Sequence, residues 1–139
     1  MHCDKRILKL VKLPSKTFGA ISEKIIKKIF KITKGTNCQH DGIKYGKKIE
    51  IKTARYWSSK DDCRWQHIEL EYDYDIVIFA LLDFHGWKFW CIKKVLMGKL
   101  RKKKIITNQG KQGLWTEKSK IISFLTPINS ISDFDNFIQ

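Results

Sequence analysis

"HDGIKYGKKIEIKTAR", His40 to Arg55, is the stretch on which the reading of this chain turns. In its second half Ile49 and Ile51 alternate with Lys48, Glu50 and Lys52. A period of two sends successive side chains to opposite faces, so Ile43 to Thr53 predicts a strand with one dry face. Tyr45-Gly46 stands where a two-residue turn would reverse the chain, pairing residues whose numbers sum to 91. Asp41 then opposes Glu50, while Glu50 shares its face with Lys52. Directly opposed like charges destabilise a sheet, and a divalent cation between them would cancel that cost.

Upstream, Phe18, Ile21, Ile25 and Ile29 recur at three- and four-residue steps, with Ile26 and Phe30 widening the stripe. That spacing predicts an amphipathic helix from Thr17 to Lys31, capped by Thr17 or Ser15 and ended at Gly35. Ser58 to Arg64 is polar and reads as a turn or short helix. From Asp75, "DIVIFALLD" is continuously apolar, as expected of a strand covered on both faces. "DFHG" turns into the alternating "WKFWCI", and lysine dominates Lys93 to Ile106. Lys118 to Leu125 offers a last strand, and Ser132 caps a short terminal helix holding Phe134 and Phe137. The order of elements gives a mixed α/β fold with a central sheet.

The chain has 139 residues, which suits one domain, and its 42% hydrophobic content is enough for a core. Lysine and arginine number 28 against 14 acidic residues, a net charge of +14. Such a balance selects polyanionic partners, nucleic acid ahead of an acidic membrane surface. No apolar run approaches the ~20 residues that cross a bilayer. Cys3, Cys38, Cys63 and Cys91 form no C-x-x-C pair, and "MHCDKRILKL" lacks the apolar centre of a signal peptide. A reduced cytoplasmic setting is the expectation. Cys38-x-His40 is half of a zinc pattern without its second half.

Two carboxylates beside a lysine suit phosphodiester hydrolysis. Hard oxygen ligands hold Mg²⁺ (or Mn²⁺) while leaving positions for water and phosphate. The lysine orients or deprotonates the attacking water and offsets charge growing on the phosphate. These residues resemble the PD-(D/E)XK nuclease superfamily, with Asp41 as its first aspartate and Glu50-Ile51-Lys52 as its E-x-K; His40 stands where the proline of the name would be. "GAISE" matches the G-x-x-x-E of the first helix through Gly19 and Glu23, and "RWQHIELEYDYDIVIFALLDF" looks like the stretch after E-x-K in small restriction-type members. The resemblance spans roughly Thr17 to Leu82. It implies a restriction endonuclease-like fold with an αβββαβ-type core and a metal held by Asp41, Glu50, Glu23 and the Ile51 carbonyl. Lys52 would activate water and Gln66 would orient the site. Cutting both strands of duplex DNA implies a homodimer. A Holliday-junction resolvase shares this site, and a non-catalytic DNA-binding module shares the fold.

Each residue has a plainer reading. Glu23 and Lys27 form an ordinary helix pair, Asp41-Gly42 begins a turn, and Glu50 and Lys52 decorate a strand. Glu69, Glu71, Asp73 and Asp75 would line one face of a strand as a rival metal site, though Asp73 and Asp75 fit lysine pairing better. His67 and His85 are candidate bases. Lys99, Arg101, Lys102, Lys103 and Lys104 form the densest basic run, joined by Arg55, Arg64 and Lys111 as phosphate contacts. Of the five tryptophans, Trp57, Trp65, Trp87, Trp90 and Trp115, the last is expected to be exposed and able to stack on bases.

Overall fold

A computed structural model describes residues 5–55 and 62–139. Trp57 and most of Ser58 to Arg64 lie outside the described residues. The chain opens with α1 (Lys5–Val11) and α2 (Ser15–Phe30), followed by β1 (Thr33–Lys34), β2 (Gly42–Lys44) and β3 (Lys47–Arg55). Next come β4 (Arg64–Ile68), β5 (Ile76–Asp83), β6 (Gly86–Lys93) and α3 (Lys94–Lys102). The remainder is β7 (Thr107–Asn108), β8 (Leu114–Glu117), α4 (Lys118–Ile121), β9 (Thr126–Ile128) and α5 (Ile131–Ile138).

Six strands form a mixed sheet in the order β1-β2-β3-β5-β6-β9, and β4-β8-β7 form a second, antiparallel sheet. Only β3 and β5 run parallel in the larger sheet. A parallel pair needs a crossover, and here the crossover passes through β4. Strand β5 is buried on both faces, as its unbroken apolar run predicts. Ile49, Ile51, Ile76 and Ile78 pack with Ile26 and Phe30 of α2 and Phe134 of α5. On the opposite face Val77, Phe79 and Leu81 meet Trp65 and Ile68 of β4 and Met97 and Leu100 of α3. Trp65 is fully buried and donates from its ring nitrogen to the Ala80 carbonyl at 2.9 Å, so it is no base-stacking platform.

Several elements differ from the sequence expectation. The buried row of α2 is Phe18, Ser22, Ile26 and Phe30, one step round from the predicted stripe, and Ile21 and Ile29 are exposed. Two apolar rows lie on adjacent helix faces, and periodicity does not say which one meets a sheet. The helix begins after Pro14 without a side-chain cap and ends before Gly35, at Lys31, whose φ of 56° is left-handed. Lys118 to Phe124 is helical, not a strand, and Leu125 follows in extended conformation. Ile121 and Leu125 turn inward one helical turn apart, and Asp62 accepts the Ser119 N–H (2.9 Å) and hydroxyl (2.7 Å) at its start. The terminal helix is capped by Ser130, not Ser132. The Asp133 N–H donates to Ser130 Oγ at 3.1 Å, and Asp133 accepts the Asn129 N–H at 3.0 Å, a reciprocal capping arrangement. The lysine-rich segment after Lys93 folds as α3, and α1 was not anticipated.

Lys44 ties three elements together. Its ammonium donates to the Phe30 carbonyl at the end of α2 (2.6 Å) and pairs with Asp135 of α5 at 2.5 Å. A cation at a helix C-terminus also complements the dipole. The lysine side chain is 9% exposed and that of Asp135 24%, so truncation leaves a half-buried carboxylate without its cation. Lys44→Ala should lower the unfolding free energy by about 2–3 kcal/mol, read from the midpoint of urea denaturation.

Candidate active site

Tyr45 and Gly46 both have positive φ, 50° and 73°, and the flanking strands pair Gly42 with Ile49, Ile43 with Lys48 and Lys44 with Lys47. The hairpin register is the one the sequence predicts. Gly42 is the last β2 residue in this ladder. Asp41 donates its N–H to the Ile49 carbonyl (2.9 Å), while its Oδ2 accepts the Ile51 N–H at 2.7 Å. The aspartate side chain thus replaces the next rung, and β3 runs on to Arg55 without a β2 neighbour.

Glu23, Asp41 and Glu50 converge at this point, with Asp41 hydrogen-bonded to both glutamates. Glu50 is 7% exposed. Burial, then the hydrogen bond and charge of Asp41, push its carboxyl up to about 9, against the pull of Lys52. Burial and Asp41 likewise raise Glu23 to about 7, opposed by Lys27 and Lys24. Burial alone would raise Asp41. The bonds from Glu50, Glu23 and the Ile51 N–H, with the charge of Lys52, outweigh it and hold Asp41 below its ordinary range. The cluster therefore favours the charge on Asp41 and disfavours it on the two glutamates, most strongly on buried Glu50.

Lys52 Nζ lies 4.0 Å from Glu50 Oε2 and donates to the His67 carbonyl at 2.7 Å. His67 has φ of 57°, where the β4–β8 register shifts between Trp65 and Ile68, and this bulge aims its carbonyl at the lysine. An open cleft of about 1070 Å³ lies between α2 and β4 with the free edge of β3 as its floor; Glu23, Ile51, Lys52, Gln66 and His67 line it. Glu23 also stands 3.8 Å from Lys27, so its helix pair and its contact with Asp41 coexist.

The remaining candidates are distributed elsewhere. Arg55 reaches the cleft, but its guanidinium donates to the Val11 and Leu13 carbonyls and to Ser15 Oγ. Lys99, Arg101, Lys102, Lys103, Lys104 and Lys111 are exposed and do not line the cleft. Trp115 is half-buried rather than exposed, donating to Thr107 Oγ1 at 3.1 Å with the Arg64 guanidinium 4.5 Å from its ring centre. Residues 69–75 are not a strand, so the four acids share no face: Asp73 pairs with Lys48 at 2.6 Å and Asp75 accepts the Lys48 N–H. His40 is buried, bonded to the Thr36 N–H at 3.1 Å and to the Asp73 carbonyl at 3.0 Å. Cys38 beside it is an exposed free thiol. Two participants escaped the sequence reading. The His67 carbonyl carries no sequence signal, and Tyr74 is buried where Glu50, Glu71 and Glu69 add to desolvation in raising its hydroxyl.

Asp41, Glu50 and Glu23 and the Ile51 carbonyl are hard oxygen donors, the type that suits Mg²⁺ or Mn²⁺. Among the described residues, no group of three His, Cys, Asp or Glu side chains is already spread as a ligand set. The carboxylates are turned toward one another, and a divalent cation among them would favour their charged forms. No protein-family model matches the chain, and no curated protein is significantly similar to it. Among the described residues, no helix is long and apolar enough to cross a membrane.

The two raised acids set a pH dependence. Each binds a proton in the fold that the unfolded chain releases above about 4.5, so their contribution to stability falls as pH rises from there toward 9. Asp41 acts oppositely, below 3.8. With divalent ions chelated at pH 8, Glu50→Gln should melt at least about 3 °C above wild type by circular dichroism, the gap closing near pH 4.5.

Proposed function

We propose that this chain is a metal-dependent endonuclease that hydrolyses phosphodiester bonds in DNA, on a restriction endonuclease-like variant of the mixed α/β fold. The observation that carries the reading is the meeting of Glu23, Asp41 and Glu50 beside Lys52, with Glu23 and Lys52 lining an open cleft, in a chain of net charge +14. In a purely structural role, crowding a buried carboxylate against two half-buried ones is unfavourable.

Asp41, Glu50 and the Ile51 carbonyl would hold Mg²⁺, with Glu23 completing or supporting the set. When bound, the ion would polarise the phosphate and acidify a water. Lys52, fixed between Glu50 and the His67 carbonyl, is positioned to orient the attacking water and to offset charge growing on the phosphate. Gln66, exposed on the β4 wall, would orient the scissile group by hydrogen bonding. One such centre cuts one strand, so duplex cleavage would require a two-fold pair of chains.

Supercoiled plasmid incubated with Mg²⁺ or Mn²⁺ should be nicked or linearised. Glu50→Ala and Lys52→Ala should each lower the rate at least about a hundredfold. Discrete bands favour sequence-specific duplex cleavage, and preference for a four-way junction offered alongside favours a resolvase. Unchanged plasmid under either metal defeats the enzyme reading and leaves a DNA-binding module. Cation binding should also release protons near pH 7, seen as heats of Mn²⁺ titration that vary with the buffer's ionisation enthalpy.

A further inference from the structure

The six cations exposed beyond the cleft, on α3, in the turn after it and at Lys111, leave open how a nucleic-acid backbone would be led to the carboxylates. From Lys5 to Ser22 the chain carries five cationic residues and no acidic one. Lys5, Lys9, Lys12 and Lys16 are exposed, and none makes an ion pair among the described residues. Lys16 and Ser15 line the cleft, so this basic surface opens directly onto the site strand. The connection is braced from within. Arg55, the last residue of β3, donates to the Val11 carbonyl at 3.2 Å and to Ser15 Oγ at 3.2 Å. It also bonds the Leu13 carbonyl and lies 4.8 Å from the Phe18 ring centre. One guanidinium thus fixes the turn between α1 and α2 to the strand that carries Glu50 and Lys52.

We propose that α1 and the turn after it form the phosphate-binding track that holds the nucleic-acid backbone as it leaves the cleft, with Lys5, Lys9 and Lys12 contacting phosphates and Arg55 positioning the track. The proposal rests on the nuclease reading for the cleft's purpose. An anionic membrane is the less favoured partner because α1 has no free apolar face to insert. Val11 is buried with Phe18 and Leu82, and Ile7, Leu10 and Leu13 pack against that cluster. The lysine heads remain outward beside Arg6, which suits a charge contact to phosphate rather than insertion.

The test uses the full chain, metal chelated, and a fluorescent duplex read by anisotropy across a salt series. The triple variant Lys5→Gln/Lys9→Gln/Lys12→Gln should bind at least about tenfold more weakly at low salt, and its log–log salt slope should be shallower by about 2 to 3. The arginine triple at the same positions should bind like wild type, which separates lost charge from lost folding. Lys99→Gln/Lys102→Gln/Lys103→Gln should have the smaller effect. Wild-type affinity in the α1 glutamine triple, an equal or larger loss in the α3 triple, or tighter binding to phosphatidylserine vesicles than to DNA would each overturn the proposal. Because chelated binding needs no catalysis, a chain that binds through α1 but never nicks plasmid fails only the nuclease reading. One that nicks plasmid while indifferent to the α1 substitutions fails only this one.

Discussion

Asp41 accepting the Ile51 N–H at 2.7 Å is the constraint from which the rest of the site follows. A backbone donor at a strand edge must find a partner. Had β2 continued one rung further, a backbone carbonyl would have served and the edge of β3 would have been closed. With a side chain as the partner, the hairpin ends, a carboxylate is drawn beside Glu50, and the strand beyond is left bare as a cleft floor. Local backbone satisfaction and the acidic cluster are therefore one arrangement seen at two scales.

That arrangement is an electrostatic exception inside a basic protein. Most of the 28 cationic side chains lie on helix surfaces and turns, while three carboxylates crowd together at the edge of the sheet. Desolvation and Asp41 raise both glutamates, and Lys27 and Lys24 only partly offset the rise at Glu23. Sites where a chain departs from the rule that buried charge is avoided are the expected places for function.

The hairpin and its neighbour β5 were the most legible parts of the sequence. Their period-two and continuously apolar patterns have a single physical solution, and the Tyr45-Gly46 turn fixed the register to the residue. Helix α2 was legible as a helix but not in its rotation, because the row of Ile21, Ile25 and Ile29 competes with that of Phe18, Ile26 and Phe30 for the sheet. The segment from Lys118 misled because Ile121, Ile122 and Leu125 fit either period; what decided it was Asp62, 57 residues away from Ser119. The convergence of Asp41, Glu50 and Lys52 was readable from spacing. The His67 bulge was not: a backbone carbonyl aimed by a positive φ leaves no trace in side-chain pattern.

The same carbonyl gives the bond from Lys52 a role beyond holding one amine in place. Lys52 belongs to the large sheet and His67 to the small one, and the cleft lies beside their junction. Any outward swing of the smaller sheet must either snap that link or drag the ammonium away from Glu50. Were Lys52 to act as proposed, widening the mouth and loosening the lysine would be a single mechanical event, tying entry of a bulky ligand to chemistry.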